Sequence, residues 1–208
     1  MTAAAPLVLV VDDDPSVRKG LSRVLASADY AVEVFASAGE FLARAPHAGP
    51  CCLVLDVRMP GLTGMQLQEM LAAAGRRMSI VFVTGHADVP TSVKAMKAGA
   101  VDLLMKPVDV RDLIAAIQRA MTRDEHERAG ETRLAEVRRR VDTLTPRETE
   151  VFARVVTGML NKQIGAALGI GEKTVKVHRA RVMEKMQAGS VAELVRLADE
   201  AGVTVLAG

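Results

Sequence analysis

The chain has 208 residues, half of them hydrophobic and a quarter charged, with a formal net charge of +2. That length and composition suit a soluble globular protein of one large domain or two small ones. Its apolar stretches are too short to span a bilayer, and the N-terminus lacks the basic region and apolar core of a secretory signal, so no membrane association and a cytoplasmic location are expected.

The two cysteines, Cys51 and Cys52, are adjacent. A metal cage would need a second pair, so buried free thiols in a reducing compartment are expected, pointing to opposite faces of a strand. Aromatic residues make up only 2% of the chain, which argues against stacking platforms for single-stranded nucleic acid.

Between residues 7 and 121, short apolar runs alternate with amphipathic stretches. The runs predict strands near 7–11, 32–35, 51–55, 80–83 and 101–105, with helices near 15–28, 38–44, 64–73, 90–98 and 109–121. Five strand–helix units of this size imply an α/β fold, a parallel sheet covered on both faces. Gly99 suits the end of a helix. In such a sheet the strand C-termini gather at one edge, where ligands bind.

Polar groups follow four of those predicted ends. The first run leads into Asp12, Asp13 and Asp14, and the third into Asp56. The fourth leads into Thr84, Gly85 and His86, and the fifth into Lys106 and Pro107. Carboxylates, a hydroxyl and an amine should therefore meet at one site. Taken singly, Asp12 to Pro15 would read as a helix start, Thr84 as a turn residue and Lys106 as a solvated amine.

Past residue 109 the helical pattern runs on. Ile114, Ile117 and Met121 form an apolar stripe, 122–133 is almost wholly polar, and Leu134, Val137, Val141 and Leu144 resume a helical spacing. One long helix with an exposed middle and a helix interrupted at Gly130 both fit, as a charged helical linker.

Residues 142–208 carry no strand pattern apart from a frayed tail at 203–206. Thr145, Pro146 and Glu148 spell a helix start with a capping box. Helices are predicted near 146–157, 161–168, 172–187 and 190–201. Only Gly169, Ile170 and Gly171 separate the second from the third, which makes a helix-turn-helix. Residues 1–122 hold 12 basic and 12 acidic side chains, whereas 161–187 holds six basic against two acidic. That local excess fits a phosphate-facing surface, though a solvated helix face would look alike.

With Asp12, Asp13, Asp56, Thr84 and Lys106-Pro107 at successive strand ends, and a Met59-Pro60-Gly61 turn with Gly64 behind it, residues 1–122 resemble the receiver domain of bacterial two-component response regulators. The resemblance implies a flavodoxin-like, doubly wound five-stranded parallel sheet. It implies Asp56 as the nucleophile that takes a phosphoryl group from a sensor histidine kinase. It also implies Mg²⁺ held by Asp13, Asp56 and the Arg58 backbone carbonyl, with Asp12 acting through water. Lys106 and the Thr84 hydroxyl would contact phosphoryl oxygens, and Lys106-Pro107 would be cis. Arg58 and His86 occupy positions where relatives vary and where dephosphorylation is modulated; His86 reads equally as an exposed loop residue.

One departure is Leu103. Three residues before the lysine, the family usually carries Tyr or Phe, a ring that swings inward on phosphorylation, and the resemblance makes Thr84 and Leu103 the switch positions. A leucine should alter the energy gap between the two states.

Residues 144–201 resemble the LuxR-type helix-turn-helix, through Leu144 to Glu148, Gly158, Asn161, Lys162, Ile164, Leu168 to Ile170, Thr174 to Arg179, Lys185, Met186 and Glu193 to Val195. The whole chain is similar to the FixJ/NarL group of response regulators: a receiver domain at 1–122, the linker at 123–141, and a small all-α DNA-binding domain at 142–208. On the presumed recognition helix, Lys173, Lys176, Val177, Ala180, Arg181 and Glu184 share one side, while Val175, His178, Val182 and Met186 face the other helices. The resemblance implies that Lys176 and Val177 reach base edges in the major groove. Thr174, Arg179, Arg181 and Lys162 would then contact phosphates. Ala180 replaces a longer base-contacting side chain found in some relatives. Gly171 replaces the usual Ser or Thr cap at a cost of a few tenths of a kcal/mol.

The expectation is thus a phosphorylation-controlled transcription regulator that dimerises through 90–98, 101–105 and 109–121. It would bind an inverted repeat in double-stranded promoter DNA and act, as an activator, on RNA polymerase. It is not expected to be an enzyme beyond self-catalysed phosphotransfer and dephosphorylation. A haloacid-dehalogenase-type phosphatase would need an aspartate two residues after its nucleophile, where this chain has Arg58. A phosphorylation-independent DNA-binding regulator, its receiver serving only to dimerise, is the alternative. An RNA-binding antiterminator fits poorly, since a recognition helix suits duplex DNA better than deep RNA grooves.

Overall fold

A computed structural model describes residues 6–85 and 88–202; the tail at 203–206 and His86 lie outside them. The chain divides into two compact units, Met1–Arg128 and Ala129–Gly208.

The first unit is built on strands β1 (Leu7–Val11), β2 (Ala31–Phe35), β3 (Cys51–Leu55), β4 (Ser79–Thr84) and β5 (Asp102–Met105), all parallel, in the order β2-β1-β3-β4-β5. Helices α1 (Pro15–Ser27), α2 (Ala38–Leu42), α3 (Gly64–Ala73), α4 (Val89–Lys97) and the first part of α5 (Val110–Asp142) connect and cover them. Every residue of β1, β3 and β4 is buried, as expected of central strands covered on both faces.

Alternation along the strands sorts two apolar layers. Leu9, Leu53 and Phe82 lie on one side with α2 and α3 residues such as Phe41 and Leu67, while Val10, Val54 and Val83 lie on the other with Leu25, Leu113 and Ile117. Cys51 and Cys52 fall in opposite layers as free, buried thiols. Burial pushes both thiols up from their ordinary pKa, the fully buried Cys52 strongly, so both stay protonated.

The strand order reverses direction beside β1 and β3, and Val11 pairs with Leu55 there. The next residues, Asp12 and Asp56, leave the sheet side by side. This is where a doubly wound sheet opens a crevice. Asp14 then starts α1, its carboxylate accepting from the Ser16 and Val17 amides, and the Thr63/Gln66 capping box starts α3. Gly99 takes φ +92°, the conformation that ends α4.

Helix α5 continues through Gly130 without a break. Its polar stretch is supported by ion pairs of Arg123 with Glu127, worth a few tenths of a kcal/mol on an open helix surface, and of Arg128 with Asp124. Asp124 is an exception to the exposed middle. It is buried and accepts from the Cys51 amide at 3.0 Å and from Arg128 Nε at 2.6 Å.

In the second unit, α6 (Pro146–Val156), α7 (Asn161–Leu168), α8 (Glu172–Met186) and α9 (Val191–Ala201) enclose Val151, Phe152, Ile164, Val175, Val182 and Leu194, joined by Val137 of α5. The turn from α7 to α8 is tight. Gly169 sits at φ +65°, and a β-carbon on Gly165 would lie 2.7 Å from the Ile170 carbonyl oxygen. Two glycines thus let α8 turn sharply against α7.

Candidate functional site: an acidic crevice and an exposed basic helix

At the β1/β3 edge, Asp12, Asp13 and Asp56 each offer a carboxylate oxygen within 4.8 Å of the others. Asp12 and Asp56 are buried, at 1% and 7% exposure, while Asp13 is exposed. Lys106, carried there by the end of β5 and followed by a cis peptide bond to Pro107, places its Nζ 2.7 Å from Asp12 Oδ2 and 2.6 Å from Asp56 Oδ2. The remaining carboxylate oxygens take backbone donors: the Asp14 amide reaches Asp12 Oδ1 at 2.9 Å, and the Arg58 amide reaches Asp56 Oδ1 at 3.0 Å. Thr84 is the buried last residue of β4, and its carbonyl accepts from the Lys106 amide at 2.8 Å. The Arg58 side chain is exposed. Leu103 is half-buried against the layer that contains Phe82.

One ammonium shared between two buried carboxylates leaves the charges unevenly compensated. Burial pushes the Asp12 carboxyl above its ordinary pKa, outweighing the hydrogen bonds from Lys106 and Asp14, and the nearby Asp56 charge adds to the rise. Burial would lower the Lys106 ammonium, yet its hydrogen bonds to Asp12 and Asp56 outweigh it and hold the pKa above the usual value. The crevice is therefore short of positive charge. An all-oxygen donor set of this kind suits a hard divalent cation.

In the second unit, Lys173, Lys176, Val177, Ala180, Arg181 and Glu184 are exposed along α8, and Val177 retains 50% of its surface. Val175, Val182 and Met186 are buried beneath them. Thr174 and Lys162 are exposed as well. Arg179 is half-buried, and its guanidinium donates to Asn161 Oδ1 at 3.1 Å. His178 is half-buried, with a buried Nδ1 that has no hydrogen-bond partner.

Two family models match this chain: the response regulator receiver domain over residues 8–118 and the bacterial regulatory proteins of the luxR family over residues 142–198. The chain is 42% identical over 198 residues to Nodulation protein W of Bradyrhizobium diazoefficiens, covering 95% of this chain and 87% of the relative. It is 44% identical over 196 residues to the transcriptional regulatory protein FixJ of Azorhizobium caulinodans, covering 94% and 93%. The chain belongs to the response-regulator family. Among solved structures, response regulator StyR matches at a TM-score of 0.85 and 43% identity, over 95% of this chain and all of that one.

This response regulator joins a receiver domain to a LuxR-type DNA-binding domain, in the manner of its FixJ relatives, and the family consists of transcriptional regulators rather than conventional enzymes. No helix among the described residues is long and apolar enough to cross a membrane. Two polar contacts of the regulator escape sequence reasoning. Asp124 has only its spacing to Arg128 to mark it, a pattern that surface helices share. Asn161 and Arg179 are 18 residues apart, and no local spacing joins them.

Proposed function

We propose that this regulator is switched by phosphorylation of Asp56 and then binds promoter DNA as a dimer. In this reading residues 1–122 form the receiver, 123–141 the helical linker and 142–208 the DNA-binding domain. The observation that carries it is the Lys106 ammonium within hydrogen-bond distance of both buried aspartates. A lone nucleophile would not need such a clamp; an aspartate that must accept an anion does.

A carboxylate oxygen of Asp56 attacks the phosphorus of a phosphohistidine on a sensor kinase. The O–P bond forms, the P–N bond breaks, and the departing imidazole nitrogen takes a proton. Lys106 moves from the Asp56 carboxylate to a phosphoryl oxygen, and the Thr84 hydroxyl donates to another. Asp13, Asp56 and the Arg58 carbonyl would hold Mg²⁺, with Asp12 acting through water. When bound, the cation supplies the charge neutralisation that lets two anions meet. The chain's own chemistry ends with self-catalysed transfer and later hydrolysis of the acyl phosphate, in the cytoplasm where kinase and DNA are both accessible.

Dimerisation is supported by an apolar surface on the first unit: Val89, Val93 and Met96 of α4, Met105 of β5 and Val110 of α5 are all exposed. A two-fold dimer sets two helix-turn-helix units on an inverted repeat. Lys176 and Val177 then read bases, while Lys162, Thr174, Arg179 and Arg181 meet phosphates, with Ala180 between them. Activation through RNA polymerase is the expected output.

The test is to incubate the full chain with acetyl phosphate and Mg²⁺ and follow its mass in solution by light scattering. Doubling of mass on phosphorylation, with salt-sensitive retention of duplex DNA, is the expected result. A mass and DNA affinity indifferent to the phosphodonor would instead favour a phosphorylation-independent regulator.

A further inference from the structure

We infer that Asn161 is a positioning residue for DNA binding, holding the Arg179 guanidinium in the pose from which it meets a backbone phosphate. The inference rests on the DNA-binding reading above. Arg179 Nη1 donates to Asn161 Oδ1 at 3.1 Å, across the junction of α8 with the start of α7. Both residues are half-buried, beside the exposed Lys162 and Lys176.

The partner's chemistry is what matters. Several other arginines of this unit, Arg133, Arg139, Arg140 and Arg147, are paired with glutamates. Among the described residues Arg179 has no carboxylate within ion-pair distance, and its hydrogen-bond partner is a neutral amide. An amide restrains a guanidinium without cancelling its charge. A guanidinium has five N–H donors, so one bond to Asn161 leaves the rest for a phosphate, in the fork geometry that anion recognition rewards. The rotamer freedom that a free arginine loses on binding is then already restricted before DNA arrives.

A purely structural brace is the competing explanation, but α7 has other anchors. Arg147 donates to the Leu168 carbonyl at 2.7 Å, Gly165 packs against the Ile170 carbonyl, and Ile164 is fully buried. Removing one half-exposed amide should leave those intact. The sequence offset adds to the case. Arg179 stands three residues after Lys176, so both project to neighbouring positions on α8.

The full chain and its Asn161→Ala, Arg179→Ala and double variants would be titrated with a mixed-sequence DNA duplex over a range of salt, by fluorescence anisotropy. Phosphate contacts are independent of sequence, so no operator is needed. Asn161→Ala should weaken binding about tenfold and reduce the slope of log affinity against log salt by roughly 0.9, the share of one phosphate contact. Arg179→Ala should do the same, and the double variant should be no weaker than Arg179→Ala alone.

Asn161→Ser covers the chance that the alanine variant folds poorly. Serine keeps a small polar side chain at this first residue of α7 but is too short to reach Arg179, so it should match Asn161→Ala in slope while melting like the wild type. A wild-type salt slope in both Asn161 variants, or additive losses in the double, would overturn the positioning role. A wild-type chain with no salt-dependent affinity for duplex would remove the DNA-binding reading itself.

Discussion

Gly64 passes so close behind Asp56 that a β-carbon there would lie 2.1 Å from the Asp56 carbonyl oxygen. The obstacle is backbone, which cannot rotate away as a side-chain end could. Glycine at this position lets α3 begin against the tip of β3, and that contact fixes where the Asp56 carboxylate emerges. Gly64→Ala should therefore cost about 2–4 kcal/mol of stability and slow phosphorylation by small phosphodonors. Denaturant unfolding and initial phosphorylation rates check this; a variant with both unchanged would mean the loop shifts freely and does not set the site.

Lys106 compensates two buried carboxylates at once. Replacing it with methionine removes that charge and leaves Asp12 and Asp56 facing each other unneutralised, a loss of about 3–5 kcal/mol for breaking a buried pair. A divalent cation bound by the same carboxylates would restore much of it. Lys106→Met should thus melt earlier than the wild type without Mg²⁺ and gain more from Mg²⁺ than the wild type does. Equal Mg²⁺-induced shifts in the two proteins, read by calorimetry, would detach the cation from this crevice.

Leu103 packs half-buried against the apolar layer of the sheet, and it is smaller than an aromatic ring. Any repacking at this position on phosphorylation should differ less in energy than that of a ring. Leu103→Phe is expected to change the phosphorylation-dependent dimer constant several-fold, read by sedimentation with and without phosphodonor. An unchanged constant in both states would show that switching does not pass through this position.

In the second unit, Glu148 is only 2% exposed and accepts from Lys185 Nζ at 2.6 Å and from the Thr145 amide at 2.9 Å. The Lys185 hydrogen bond, followed by that of the Thr145 amide, holds its carboxyl at about 2 instead of the usual 4.5. A depressed carboxyl stabilises the fold fully above the unfolded value and loses that contribution as pH falls towards the folded one. The stability step should accordingly fall between pH 4.5 and about 2. Glu148→Gln keeps the capping geometry but not the charge, and should cost about 1–2 kcal/mol at neutral pH. The difference between variant and wild type should shrink across that acid window. A constant difference from neutral pH to pH 2 would contradict the ion pair as its source.

The sheet and most helices were legible because the central strands are short, largely apolar runs closed by polar residues, and several helices carry their own start signal, such as Asp14, Thr63 or Thr145. The crevice was legible for the same reason: parallel strands bring their ends together, so Asp12, Asp56 and Lys106 had to converge. The state of Gly130 was not, because a lone glycine weakens a helix by only about 1 kcal/mol, and ion pairs on either side can offset that. Nor was the burial of Asp124, whose partner is the amide that opens β3. The pairing of Asn161 with Arg179 depends on how two helices cross, which no periodicity encodes.

The most direct measurement is the intact mass of the full chain after incubation with acetyl phosphate and Mg²⁺, beside an Asp56→Asn control. A single phosphoryl adduct on the wild type and none on the control is the predicted result. No adduct on the wild type, or the same adduct on both, would contradict Asp56 as the phosphoacceptor.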